Sequence, residues 1–457
     1  MSNFAYLFDI RMNTWFNLKK IVLCTCLLCQ GSILCAQQDS LKLSMSNLFE
    51  LAMERNRDIK LSTAYLSRAT SVVQDKKNNR LPVVGLSASA GYLTDVGVLG
   101  LGTMPTGYYD MPHFSNSFSL QASLLLYSGG RLSTDIDIAQ LERNMATLQI
   151  EKNKQSVKLI LAGYYLDLYQ LYQQKKVYEN NIAISKELLE KIDTRYQSGV
   201  ALKSDKIRNE LLVSTFELAL SRLWERIQIV NNNMLATLSL PDNTVIVPDT
   251  DIEIPDKIVQ LLSSSKLEHL QGNSLKNNIE ARESEIKNVI ADEKLKLARS
   301  SNRPEVSLFL SGAVTRPYTF DIPAKDIYAN TNAIGVKVNI PISNLYLSKK
   351  KIEIATTDIE ISHISKKQTE ETVRRDLKNN YIKCREAYRQ LSTLYKQQEL
   401  ADENYRRITD NYMEQLALNT EVMDASNQKL DASLRVTQAK VEIIFSYYKL
   451  LKTLGEL

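Results

Sequence analysis

Two carboxylates near the end of the sequence, Glu421 and Asp424, have a spacing that suits chemistry on a helix surface. Residues three positions apart share one face of a helix, so both side chains would point the same way. An isolated pair of this kind is usually a solvated helix face. Repeated around an opening by several copies of a chain, the same pair would form a ring that favours cations and repels anions. Both interpretations are open on these residues alone.

Few other residues suggest chemistry. The three histidines, His113, His269 and His363, are far apart in the sequence, which argues against a histidine-rich metal site and against a hydrolase triad. Cys384 is the only cysteine after residue 36, so a disulfide framework is excluded. We therefore predict a protein that is not an enzyme and that has no cofactor and no metal site.

Composition indicates a folded chain without a nucleic-acid partner. The 457 residues are 44% hydrophobic and 24% charged, which is typical of folded proteins. Lys and Arg total 57 against 52 Asp and Glu, and no long basic block occurs. A net charge of +5 spread over this length gives no reason to expect nucleic-acid binding.

The amino terminus has the pattern of a secretory signal peptide. Two lysines precede the apolar run 21–34, and the small residue Ala36 follows it, so we predict cleavage after residue 36. One alternative is a lipoprotein in which Cys35 carries the lipid. Met12 is an alternative start to Met1. No later run of about 18 apolar residues exists, which predicts no membrane-spanning helix.

Proline positions predict very long helices. All ten prolines fall in the windows 82–112, 241–255 and 304–341, and proline stops helices. Between these windows apolar residues recur at alternating spacings of four and three, as in a coiled-coil seam. In the first half they are Val157, Leu161, Tyr164, Leu168 and Leu171. A single helix over 131–198 would be roughly 100 Å long at about 1.5 Å per residue.

The two halves of the chain form a tandem repeat. Pro82 and Pro304 open similar segments 222 positions apart, and Tyr196 and Tyr412 open similar segments 216 positions apart. Each half is predicted to run helix, strand, loop, strand, very long helix, turn, helix. The predicted organisation is a signal peptide at 1–36, a first repeat at 37–240, a linker at 241–255 and a second repeat at 256–457.

Alternating apolar residues predict four strands, at 83–92, 116–127, 305–314 and 332–340. The clearest alternation is that of Ile334, Val336 and Val338. Four strands cannot close a membrane barrel, since such barrels start at eight strands. Open sheet edges are not tolerated in lipid, so strands in a membrane would have to be pooled from several chains.

This organisation resembles the TolC-type outer-membrane efflux proteins, over about residues 42–457. The resemblance rests on the signal peptide, the repeat, the strand placement, the turn YSGGR before the long helix and the helix–turn–helix tips. The turn contains Ser128, Gly129 and Gly130. The tips contain Tyr196, Gly199 and Asp205 in the first repeat, and Tyr412, Glu421 and Asp424 in the second. Gln415 stands where the family pattern has a second glycine.

The resemblance implies a mainly α protein with a small β part. Three copies would pool twelve strands into one outer-membrane barrel, and their helices would form a tunnel across the periplasm. The implied partners are a periplasmic adaptor protein, an inner-membrane transporter and outer-membrane lipid. The implied function is a passive conduit for tripartite efflux or type I secretion.

The resemblance also places a gate at the tips. Glu421 and Asp424 would line the constriction, while Tyr412, Tyr196 and Asp205 would make closing contacts. Arg208, which corresponds to Asp424 in the repeat, would pair with an acidic residue.

Two hypotheses from other classes are weaker. A periplasmic coiled-coil adaptor or scaffold would explain the helices, although not the paired strands in both halves. A secreted enzyme on a helical scaffold would require a compact set of catalytic side chains, which the sequence lacks.

Overall fold

The computed structural model describes residues 40–99, 105–249, 254–263, 272, 274–321 and 323–457. The predicted signal peptide at 1–36, including Cys35, lies outside these residues, as does His269. The described chain is mainly helical with a small β part, as predicted from the sequence. Within these residues, no helix combines the length and the apolar character needed to cross a bilayer.

The elements alternate between short strands and helices of very different lengths. In chain order they are β1 (Ser40–Leu43), α1 (Met45–Arg55), α2 (Arg57–Asn78), β2 (Val83–Tyr92), β3 (Val96–Leu99), β4 (Pro105–Tyr109), β5 (Phe114–Tyr127), α3 (Arg131–Gln197), α4 (Lys203–Leu238), β6 (Val245–Pro248), α5 (Asp256–Ser263), α6 (Ile279–Ser300), β7 (Glu305–Arg316), β8 (Ala329–Asn339), α7 (Asn344–Met413) and α8 (Asn419–Leu454).

The chain divides into two compact units. One consists of Tyr164–Ile252 together with the chain up to Leu51, and the other of Ala52–Gly163 and Glu253–Leu457. The first unit contains β1, α4 and β6, and the second contains α2, the sheet strands and the helices of the second repeat.

In the first unit a parallel pair of strands, β1 and β6, joins the start of the described chain to the region between the repeats. The buried Tyr165 hydroxyl donates to the Leu43 carbonyl at 3.0 Å and accepts the Asp249 N–H at 3.1 Å. Burial raises the pKa of the Tyr165 phenol, so it remains a donor at neutral pH. The side-chain amide of Asn231 holds the start of β6 in place. Its nitrogen donates to the Thr244 carbonyl, and its oxygen accepts the Ile246 N–H.

In the second unit four antiparallel strands form one sheet, in the order β2-β5-β7-β8. β2 has the predicted bounds, whereas β5, β7 and β8 extend two or three residues further toward the loop end. The extension occurs because backbone pairing continues through polar positions such as Asn116 opposite Arg316. Alternation of apolar side chains, which gave the predicted ends, stops earlier.

The two faces of this sheet differ in chemistry. Side chains paired across neighbouring strands lie on the same face. One cross-strand row consists of Leu124, Leu308 and Val336, and Leu86 pairs with Leu120 on the same face. The other face carries mostly hydroxyl, amide and small side chains, together with Leu125, Phe309 and Lys337. The Ser87 and Ser119 hydroxyls hydrogen-bond across it at 2.7 Å. The apolar face is exposed along β8, where Ile334, Val336 and Val338 are all exposed.

A tight turn joins β5 to the long helix α3. Gly129 has φ +64°, and a side chain there would clash with Arg303, whose Cβ would lie 2.4 Å from an added Cβ. The Arg303 guanidinium donates to the Gly129 carbonyl at 2.9 Å, and the Ser128 hydroxyl accepts the Leu132 N–H at 3.3 Å. The glycine is thus required both by the backbone angle and by the close approach of Arg303.

Equivalent helices of the two repeats have matching lengths and caps. α2 and α6 both have 22 residues, and each begins at an asparagine, Asn56 or Asn278, whose side chain accepts two backbone N–H groups. Such caps satisfy donors that a helix start leaves unpaired. α4 and α8 both have 36 residues, while α3 has 67 and α7 has 70. The prediction of one helix from 131 to 198 matches α3 to within a residue.

The helix α5 covers a buried cluster on α7 and α8. Ile258 of α5 packs with Cys384, Leu391 and Ile443. Burial raises the pKa of the Cys384 thiol, which disfavours its reactive thiolate form. This cysteine is a packing residue.

Candidate functional site at the helical tips

The first tip connects α3 to α4 through residues 198–202. The Val200 N–H bonds to the Arg195 carbonyl at 2.8 Å, and the Gly199 N–H bonds to the Tyr196 carbonyl at 3.0 Å. Gly199 has φ +73°, with open space around the position of a side chain. This pattern closes a helix C-terminus and favours glycine for its backbone angle alone.

At the first tip, the ammonium group of Lys206 contacts an acidic and an aromatic side chain. Lys206 lies 2.6 Å from the Asp193 carboxylate, and its ammonium is 5.9 Å from the Tyr196 ring centre. The hydrogen bond to Asp193 raises the pKa of Lys206, so the ammonium stays charged at neutral pH. Arg208 is exposed on the next turn of α4, and Asp205 lies half-buried in the first turn.

The second tip connects α7 to α8 through residues 414–418 with the same hydrogen bonds. The Leu416 N–H bonds to the Asn411 carbonyl at 2.8 Å, and the Gln415 N–H bonds to the Tyr412 carbonyl at 3.1 Å. Gln415 has φ +64°, the left-handed conformation of Gly199, its equivalent in the repeat. The departure from glycine therefore leaves the turn geometry unchanged, at the cost of backbone strain that glycine would avoid.

The carboxylate of Glu421 has a structural contact that the sequence analysis missed. It accepts the Leu418 N–H at 3.0 Å and so caps the start of α8. Leu418 occupies the N-cap position of α8 and has no side-chain acceptor. Because helix starts are usually recognised by Ser, Thr, Asp or Asn at this position, the sequence did not reveal the cap. The available signal was an acidic residue three positions after the turn.

Glu421 and Asp424 are both exposed on α8, whereas Val422 and Ala425 between and beyond them are buried. The structure therefore places the two carboxylates on the solvent side of the helix, one turn apart. Tyr412 is buried, with 8% of its surface exposed, while Tyr196 is 37% exposed. The two tyrosines thus occupy equivalent turn positions in different surroundings.

Each tip carries three of the six predicted residues. Tyr196, Asp205 and Arg208 lie together at the first tip. Tyr412, Glu421 and Asp424 lie together at the second. Among the residues that the structure describes, no cluster of three or more His, Cys, Asp or Glu side chains is arranged to hold a metal ion.

Comparison with known proteins finds a family that part of the chain resembles. Residues 48–207, which include β2, β5, α3 and the first tip, match the family model described as outer membrane efflux protein. Over these residues, about a third of its length, the chain is similar to the outer membrane efflux protein family. The predicted resemblance to TolC-type proteins is thereby confirmed, and the outer membrane in the family's description is the location predicted from the sequence.

Proteins of known sequence or structure extend the similarity beyond these residues. The chain is 20% identical to nodulation protein T of Rhizobium leguminosarum bv. viciae over 373 residues, which cover 78% of this chain and 75% of that protein. It also resembles the solved outer membrane protein VceC of Vibrio cholerae, with a TM-score of 0.72, 16% identity and coverage of 90% of this chain and 96% of VceC.

A solved membrane protein from Pseudomonas aeruginosa has a TM-score of 0.76 at 14% identity, with 90% of each chain covered. At these identities the likeness shows the fold. The shared fold covers 90% of this chain and so extends beyond the residues matched by the family model.

Proposed function

We propose that this efflux protein is a passive conduit from periplasm to exterior that works as a homotrimer. The observation that carries the proposal is the sheet β2-β5-β7-β8, which has a long strand at each edge. In the described residues, β2 pairs only with β5, and β8 pairs only with β7. A bilayer cannot satisfy the backbone groups of such edges, so each edge requires a strand from another copy.

Strand lengths and faces support the same proposal. β2 has 10 residues and β8 has 11, close to the roughly 9–11 residues of a tilted membrane-spanning strand. The exposed apolar face suits contact with lipid, and the hydroxyl-bearing face suits a water-filled lumen. Three copies would supply twelve strands, with β8 of one copy beside β2 of the next.

In this proposal the two repeats, 37–240 and 256–457, each contribute two strands and one tip, with 241–255 as their linker. Residues 1–36 direct export. The helices continue the conduit into the periplasm, where an adaptor protein and an inner-membrane transporter deliver the substrate. The system would be a tripartite efflux pump or a type I secretion system.

Native mass spectrometry in detergent tests the assembly. We expect a stable trimer of the full chain, and a stable monomer would overturn the proposal. Val336→Arg places charge on the apolar face and should cost roughly 2–4 kcal/mol of membrane stability if it lies mid-bilayer. Ala333→Arg, on the opposite face of the same strand, is the matched control and should leave the yield of trimer nearly unchanged. Equal yields would argue against the assignment of the faces.

We further propose that the tips form the periplasmic gate. Glu421 and Asp424 in three copies would line the constriction and make it selective for cations. Tyr412, Tyr196, Asp205 and Arg208 would make closing contacts with the tips of neighbouring copies. The exposure of both carboxylates on one side of α8 supports this role. Crowded carboxylates repel one another, so a bound multivalent cation would stabilise the closed ring.

Single-channel recording in planar bilayers tests the gate. Glu421→Gln combined with Asp424→Asn removes both charges, and Gln keeps an acceptor for the Leu418 N–H, so the cap of α8 is retained. We expect block by a trivalent cation from the periplasmic side to weaken by roughly tenfold or more. Equal block in the wild type and the double variant would refute the gate while leaving the conduit untouched.

A further inference from the structure

Four lysines surround a cavity of about 460 Å³ between α3, α6, α7 and α8. They are Lys152, Lys383, Lys449 and Lys452. The carboxylates in the same lining are Glu280 and Asp376. The cavity lies wholly within the second unit, and neither the tips nor the four-stranded sheet contributes a lining residue.

Each carboxylate at or beside the cavity already has a cationic partner. Glu280 and Glu283 lie 3.6 and 3.3 Å from Lys152. Asp376 lies 3.7 Å from the neighbouring Arg375. Within the described residues, no carboxylate lies within ion-pair distance of Lys383, Lys449 or Lys452. The cavity therefore carries three ammonium groups without a counter-ion.

The surroundings hold two of these lysines in place. Lys449 is half-buried, with its ammonium 4.2 Å from the centre of the Phe445 ring, and half-buried Lys452 donates to the Ser156 hydroxyl at 3.4 Å. Partial burial of an ammonium group costs free energy, because the group loses contact with water. A bound anion would compensate for this cost by pairing with the charge. Lys383 is exposed at the rim, where it is accessible to a solute.

A network around Thr453 makes the cavity wall rigid. The Thr453 carbonyl accepts the Asn278 amide at 3.0 Å, and its hydroxyl accepts the Asn380 amide at 3.0 Å. That hydroxyl also donates to the Lys449 carbonyl at 3.0 Å. Three helices are thus tied together beside the lysines, so a ligand would meet a preformed site.

We propose that this cavity binds a small multivalent oxyanion, such as a solute with a diphosphate group. Its volume exceeds what a single phosphate fills, and several ammonium groups around one space favour ligands with several negative charges. A monovalent anion could satisfy only one of them. The protein would then have an anion-binding site distinct from the acidic second tip.

Isothermal titration calorimetry on the purified full-length protein in detergent tests the site, with inorganic pyrophosphate as the probe and acetate as the monovalent comparison. Lys383→Gln is the first variant, because this side chain makes no hydrogen bond or ion pair within the described residues. We expect pyrophosphate affinity to fall about tenfold, as for the loss of one charge-assisted hydrogen bond. Lys449→Gln combined with Lys452→Gln should lower the affinity further.

Lys378→Gln is the matched control, since Lys378 is an exposed lysine of α7 that does not line the cavity. It should leave pyrophosphate binding unchanged, and acetate should bind far more weakly than pyrophosphate to the wild type. Two results would overturn the proposal. One is equal affinity in the wild type and the Lys383 variant. The other is no binding to the wild type, as expected if carboxylates of a neighbouring copy already neutralise the lysines.

Discussion

The two helical tips share a backbone and differ in charge. Their turns have equivalent hydrogen bonds and a residue with positive φ at the same repeat position. Yet residues 191–210 of the first tip carry five basic and three acidic side chains, whereas the equivalent residues 407–426 carry one basic and four acidic ones. The clearest single difference is Arg208 against Asp424. The duplicated turn has kept its shape while its two copies have acquired opposite electrostatic character.

The comparison shows that the shape of a tip and the charge of a tip depend on different residues. The turn depends on backbone hydrogen bonds that tolerate either glycine or glutamine. The charge depends on a few exposed positions that shape does not constrain. Changes of charge at those exposed positions should therefore alter selectivity strongly, whereas changes in the turn should alter only local stability. Glu421 contributes to both, because it is exposed and also caps α8.

Giving the second tip the charge of the first should have the largest effect. In Asp424→Arg the ring at the constriction would lose three negative charges and gain three positive ones in a trimer. We expect trivalent cation block to disappear and ion selectivity to shift toward anions, measured by reversal potential across a planar bilayer under a salt gradient.

The reciprocal variant, Arg208→Asp, is the control for that exchange. It makes the first tip resemble the second, so cation block should be retained or strengthened. If both variants changed selectivity in the same direction, the proposal that the constriction is lined by the second tip and not by the first would be wrong.

Removing the cap of α8 should have an intermediate effect, on local stability. Glu421→Ala leaves the Leu418 N–H without its acceptor and should cost about 1 kcal/mol. Hydrogen exchange of the amides at 418–424 measures this, and faster exchange is expected in the alanine variant. Glu421→Gln keeps an acceptor and should exchange nearly as slowly as the wild type, so fast exchange in both variants would show that charge is the essential property of Glu421.

Exchanging the turn residues should have the smallest effect, with opposite signs at the two tips. Gln415→Gly relieves a left-handed conformation and should stabilise the second turn by about 0.5–1 kcal/mol, after the entropy cost of glycine is counted. Gly199→Ala should destabilise the first turn by a similar amount, since the space there is open and only the backbone angle is at issue.

Hydrogen exchange of the two turns, followed by mass spectrometry, measures both changes. Gln415→Ala is the neutral control, because alanine and glutamine meet the same restriction on positive φ. Stabilisation by alanine equal to that by glycine would show that the glutamine side chain, and not its backbone angle, is the unfavourable feature.

The sequence predicted the parts of this molecule that have a periodic signal. The strand at 83–92 and the long helix starting at Arg131 were predicted nearly to the residue, because apolar alternation and the absence of proline extend over many positions. The repeat offset also identified the tips. The conformation of Gln415 was not predictable, since glutamine has no preference for positive φ and only the surrounding hydrogen bonds impose it.

Contacts between distant segments left no sequence signal. β1 and β6 have four residues each, too few for a periodic pattern, and their partners are about 200 positions apart. Asn231, whose side chain bonds to Thr244 and Ile246, is in the sequence one polar residue among many in a long helix. The lysine cavity is equally hidden, because its residues come from four separate helices.

The parallel pair of β1 and β6 also affects when the protein can fold. Ser40 pairs with Val245, so the first described strand to leave the ribosome cannot find its partner until about 205 more residues have been made. At typical synthesis rates of about 5–20 residues per second, that delay lasts roughly 10–40 s. During this interval β1 and the docking surface for the Tyr165 hydroxyl remain open. The start of the described chain thus lacks its strand partner until the end of the first repeat has been made.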